Sequence, residues 1–114
     1  MSMHEPLVGA YPIPDDTRRV AERAFPKGHP YLRLREQFGM LVDNQRFAHL
    51  FAHHGRPALA PARLAVVLIL QFMENLSDRQ AADRVRDSIS WKYLLGLPLD
   101  DSGFDASVLS EFRT

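Results

Sequence analysis

The stretch PARLAVVLILQFMENLSDRQ, residues 61–80, decides the fold. Pro61 stands where proline is tolerated, in the first turn of a helix, since its missing N–H would find no partner there anyway. Leu64, Val66, Val67, Leu68, Ile69, Leu70, Phe72 and Met73 follow, and on a helical repeat they cover nearly the whole circumference. A buried strand would account for Val66 to Leu70 as well. Length decides against it, because the pattern runs on through Gln71 to Glu74 without a turn residue. The expectation is a core helix from Pro61 to about Asn75, surrounded by its neighbours.

The same stretch contains the start of the next helix. Ser77, Asp78, Arg79 and Gln80 have capping-box spacing: the Ser77 hydroxyl can accept from the Gln80 amide while the Gln80 side chain reaches back. A helix from Asp78 turns Ala81, Ala82, Val85 and Ile89 toward one side, and the small alanines permit close approach to the core helix. Arg79, Asp83, Arg84 and Arg86 then point outward. Trp91, Tyr93, Leu94 and Leu95 mark a short helix ended by Gly96 and Pro98, with Trp91 and Tyr93 serving the core. Beyond the polar loop Asp100 to Gly103, Asp105 can cap a last segment carrying Val108, Leu109 and Phe112.

Upstream, Tyr31, Leu34, Phe38 and Leu41 have the three-and-four spacing of one helical face. Asp43 can cap a further helix whose Phe47, Leu50 and Phe51 share a face and whose end is marked by Gly55, so that the two form a hairpin. Asp15 and Asp16 precede a short helix, Thr17 to Ala24, stopped by Pro26, Gly28 and Pro30. Pro6, Pro12 and Pro14 make residues 1–16 an extended arm. Residues 17–114 are then expected to form one all-α domain, a compact bundle of five or six helices.

Composition narrows the function. With no cysteine in 114 residues, disulfides and thiolate metal sites are excluded. The main apolar run lies between Arg63 and Glu74, short of the roughly 20 residues a membrane helix needs. The amino terminus lacks the basic start and apolar stretch of a signal peptide, so a cytoplasmic protein is expected. Formal net charge is zero, so bulk electrostatics do not advertise a polyanion partner. The distribution is uneven, however: Arg18, Arg19, Arg23, Lys27, Arg33 and Arg35 face Glu22 alone, whereas Asp100, Asp101, Asp105 and Glu111 face only Arg113. The basic cluster reads either as a local basic face or as solvated surface.

Catalytic chemistry is not evident. Asp100, Asp101 and Asp105 suit turn and cap positions. His49 and His53 share a helical face, as in zinc sites, but Leu50 stands where the HExxH pattern needs glutamate and no third ligand follows. No phosphate loop or GxSxG elbow is present. The expectation is no catalytic residue, no metal and no cofactor.

One arrangement is more specific: a buried helix, the turn Asn75-Leu76-Ser77, then a short helix with small inward residues and outward arginines. That order suits a helix-turn-helix-like unit, in which a tight turn sets two helices at a steep angle and polar side chains reach DNA. It is equally the order of an ordinary well-capped helix start.

Between Leu68 and Arg113, QFMENLSDRQAADRVRDSISWKYLLGLPLDDSGFDASVLSEFR resembles the amino-terminal domain of InsH-type DDE transposases of bacterial insertion sequences. LSDRQAADRVR, WKYLLGLPL and GFDASVLSEFR carry the resemblance. HPYLRLREQFGMLVD from His29 and GRPALAPARLAVVLILQFME from Gly55 are similar too, so that it spans about three quarters of the chain. The resemblance implies a helical module that helps bind the element's terminal inverted repeats, in a nucleoid-associated protein. Full-length relatives follow it with a catalytic RNase-H-like domain, expected to be absent here. By position it assigns Arg79, Gln80, Arg84 and Arg86 to DNA on a positioning helix. Ser107, Ser110 and Arg113 become polar contacts on a recognition-type helix, and Lys92 a phosphate contact. The alternative is a helical dimerisation module that pairs with full-length transposase or inhibits it.

Overall fold

The computed structural model describes residues 12–38 and 61–114. Within them lie α1 (Asp15–Ala24), α2 (Pro30–Phe38), α3 (Pro61–Glu74), α4 (Asp78–Asp87), α5 (Ile89–Leu95) and α6 (Ser107–Arg113), with no strand. The protein is an all-α bundle. Residues 1–11 of the extended arm, the expected helix after Asp43, and His49 and His53 lie outside the described residues.

The hub of the bundle is α5, not the long apolar α3. Every residue from Ser90 to Leu95 is buried, and α5 packs against α1, α2 and α4. Trp91, Leu94 and Leu95 join Leu64, Val67 and Leu70 of α3, Ala81 and Val85 of α4, and Leu109 and Phe112 of α6 in the main core. Tyr93 turns the other way, into a second cluster with Ala21 of α1 and Leu32 of α2. Alternation of large residues around so short a helix lets it bind two layers at once.

A buried helix end must find partners for its last carbonyls. Here two arginines and a threonine from three other helices supply them. Arg35 of α2 donates from Nη1 to the Tyr93 and Leu94 oxygens at 3.3 and 3.2 Å. Arg63 of α3 donates from Nε to Leu95 O at 2.7 Å and from Nη2 to Gly96 O at 3.0 Å. Thr17 of α1 donates its hydroxyl to Leu97 O at 2.7 Å. The guanidiniums also lie at the negative end of the helix dipole. Gly96, at φ 69°, provides the left-handed residue that stops α5.

Local signals place the remaining boundaries. Asn75 takes the left-handed conformation at φ 57°, and the amides of Asn75 and Leu76 bond back to Phe72 O and Gln71 O, a Schellman termination of α3. The capping box forms as expected, with Gln80 N bonded to Ser77 Oγ at 3.1 Å and Ser77 N to Gln80 Oε1 at 2.9 Å. Ile89 does not belong to α4: Ser88 breaks the helix and caps α5 by accepting from Trp91 N.

The expectation that neighbours surround α3 is corrected. Phe72 is 88% exposed, Met73 58% and Ile69 52%, so its packing is one-sided.

Candidate nucleic-acid interface

The turn between α3 and α4 is fixed from both sides. Gln71 donates from Nε2 to Leu76 O at 3.0 Å and to Asp78 Oδ1 at 2.8 Å, clasping the start of α4 to the end of α3. Ala81 and Ala82 are buried, so α4 approaches the core by its backbone and turns its other side to solvent. From the far end of the sequence, Arg113 grips Asp78 with two bonds of 2.8 Å and thereby fastens α6 to the first turn of α4. Those bonds, then the one from Gln71, hold the Asp78 carboxyl down at about 2.

Behind the turn, Glu74 organises the interior side. Its carboxylate accepts from the Tyr31 hydroxyl, from Trp91 Nε1 at 3.1 Å and from Arg84 Nη1 at 2.6 Å. Burial pushes the Glu74 carboxyl up, but these donors outweigh it and leave it below its ordinary range. On the Tyr31 side, burial first and then the bond to Glu74 push the phenol up to about 12. Neither Glu74 nor Gln71 stood out in the sequence, where each reads as an ordinary polar helix residue.

The residues assigned to DNA by the resemblance fall into three groups. Arg79, Gln80, Ser107 and Ser110 are exposed on α4 and α6. Gln80 shares its amide with the capping box, and Ser107 N is held by Asp105 Oδ2 at 2.9 Å. The N-cap position of α6 is Ala106, which makes no side-chain cap bond, and Asp105 holds the first amide of the helix from one position before it; its bonds to Ser107, with Arg79 nearby, keep its carboxyl low. A shallow groove between α4 and the start of α6 is lined by Arg79, Asp83, Arg86, Asp105 and Ala106.

In the second group the guanidiniums are engaged. Arg84 pairs with Glu74, Arg86 with Asp83, and Arg113 with Asp78. The stem of Arg86 crosses Gly103, where a β-carbon would stand 2.9 Å from Arg86 Cγ; with φ at 74°, this position needs glycine twice over. Lys92 stands apart. It is 2% exposed, and its ammonium donates to Asp101 O at 3.0 Å, pinning the loop that leads to α6. Burial pulls its pKa down, against the pull of Asp101 and Asp100.

Among the described residues there is no cluster of three or more His, Asp or Glu side chains that could hold a metal ion, and no helix long and apolar enough to cross a membrane.

What fold and site define is a small helical domain whose exposed polar face is built on α4 and α6, with α4 fixed to α3 at a tight turn. Residues 19–114 match the model of the family described as "Transposase domain (DUF772)", and the chain belongs to that family. No curated protein and no solved structure matches it.

Proposed function

We propose that this domain binds DNA and contributes to recognition of the ends of an insertion sequence during transposition, without catalysis of its own. The observation that carries the reading is the exposed α4–α6 face. Arg79, Gln80, Ser107 and Ser110 stand on neighbouring helices that Arg113 and Asp78 tie together. Membership of a transposase family supports DNA as the partner. In this reading α3, the turn and α4 act as a helix-turn-helix-like unit, with Arg79 on phosphate and Gln80, Ser107 and Ser110 toward base edges. Arg84, Arg86 and Arg113 would reach phosphate only by sharing or exchanging their carboxylates, and Lys92 supports the loop behind them. The cytoplasm and nucleoid are the matching location.

The test is binding of the chain to a labelled duplex carrying the element's terminal repeat, against a scrambled duplex, at two salt concentrations. Preference for the repeat that weakens as salt rises supports end recognition. A folded sample that binds neither duplex sinks the reading, and Arg79→Ala should weaken binding without lowering thermal stability.

A second reading, a module that self-associates or pairs with full-length transposase, is favoured by Ile69, Phe72 and Met73. These side chains form an exposed apolar strip on α3. Sedimentation decides it: a dimer abolished by Phe72→Ser supports pairing, and monomer at all concentrations with no association with the intact relative rejects it.

A further inference from the structure

We infer that the corner between α1 and α2 is a second phosphate-contacting surface, separate from the α4–α6 face and engaged by the DNA backbone beside the sites that face reads. The inference rests on the DNA-binding reading above and extends it to a part of the molecule which that reading does not use.

The structure divides the basic residues of this region by employment. Arg35 is consumed internally, bonded to the Tyr93 and Leu94 carbonyls. Arg18 lies 5.7 Å from the Tyr93 ring centre and 3.9 Å from Glu22. Arg19, Arg23, Lys27 and Arg33 remain. All are exposed, and none makes a side-chain hydrogen bond or ion pair among the described residues.

Their placement follows from packing. Thr17 and Ala21 are the buried residues of α1, so Arg19 falls on the opposite side of that helix, with Arg23 one turn further along, about 6 Å away. Lys27 follows in the turn after α1. Arg33 is folded back onto the same turn: a β-carbon at Gly28 would stand 2.8 Å from Arg33 Nη1, and Gly28 has φ 91°. A glycine in a conformation that side chains avoid therefore leaves room for a guanidinium next to Lys27.

The contrast with the other face is chemical. There, Arg84, Arg86 and Arg113 already hold carboxylates. A paired cation has less to gain from a phosphate, because it must give up its carboxylate neighbour. Unpaired exposed cations gain directly through counterion release. The corner also suits a phosphate backbone better than a protein partner. Among the described residues the large exposed apolar side chains, Ile69, Phe72 and Met73, all lie on α3, and none lies at this corner. A protein interface needs an apolar centre, whereas a DNA-backbone contact is polar and positive.

The experiment compares the full chain with R23Q/K27Q/R33Q, and with R79Q, on the terminal-repeat duplex and a scrambled duplex across a salt series. None of the three changed side chains makes a bond among the described residues, so the triple variant should keep its circular dichroism and melting temperature. The expected result is weaker binding of both duplexes by a similar factor, and a slope of log affinity on log salt that is shallower by about one for each phosphate-neutralising cation removed. R23K/R33K should retain both. Unchanged affinity and slope in the folded triple variant, while the parent binds and R79Q is impaired, overturns this inference and leaves the DNA-binding reading standing. If the parent binds no duplex, both fall. If the triple variant loses anionic vesicles or an acidic polypeptide but not DNA, the corner serves another partner and the inference is overturned.

Discussion

Arg113, next to last in the chain, closes two parallel hydrogen bonds on Asp78, the first residue of α4. One carboxylate thus serves a helix amino terminus, the Gln71 clasp and the attachment of α6.

Because Asp78 titrates at about 2 in the fold and near 4 when free, its contribution is present above pH 4 and is lost as the pH falls toward 2. Asp78→Asn should lower stability at neutral pH by about 1 kcal/mol, the scale of a half-exposed ion pair plus a helix-end charge, and should flatten the acid limb of a melting-temperature profile. An acid limb identical to the parent's would show that the pair contributes nothing.

Tyr31 gives the opposite sign. Its phenol is raised to about 12 by burial and by Glu74, so the fold keeps the proton after the unfolded chain has lost it. Stability should be full below pH 10 and decline as the pH rises through 12. Burial raises the Tyr93 phenol as well, so spectrophotometric titration of the tyrosines should show a late component that shrinks in Tyr31→Phe without vanishing.

Glu74 accepts from a buried indole, a tyrosine and an arginine at once. Glu74→Ala leaves the Trp91 N–H without its acceptor and should cost about 2 kcal/mol in chemical denaturation. Glu74→Gln, which keeps one carbonyl oxygen but turns an NH2 toward donors, should fall between the two. Equal stability of all three would show that water replaces the carboxylate.

Thr17→Val keeps the shape of a fully buried side chain and removes its bond to Leu97 O. The expected loss is about 1 kcal/mol, read as a lower denaturant midpoint with an unchanged slope. The effect should be absent in Arg19→Gln, which lies on the exposed side of the same helix.

Much of the fold was legible in the residues because the deciding forces are local. The proline start of α3, the Ser77–Gln80 capping box and the Gly96 stop are each settled within a few positions of chain. Trp91 and Tyr93 also fall in the core, as their size and setting suggest. Where local signals compete, the reading slipped by a helix: Ile89 looked like the last inward residue of α4, but Ser88 caps a new helix there.

The amino-acid sequence by itself determined that the chain is helical, where most of its described helices begin and end, and which transposase-like blocks it carries. Tertiary structure decided which charges remain available. Arg84, Arg113, Arg35 and Lys92 read alike as polar residues on helices, yet each is bound by a group brought near only by folding. It also made α5 the hub and left Phe72 bare. Capping and helical periodicity act over a few residues and are written in order along the chain. Ion pairing and burial depend on what stands opposite, and the Arg113–Asp78 and Thr17–Leu97 contacts join residues 35 and 80 positions apart.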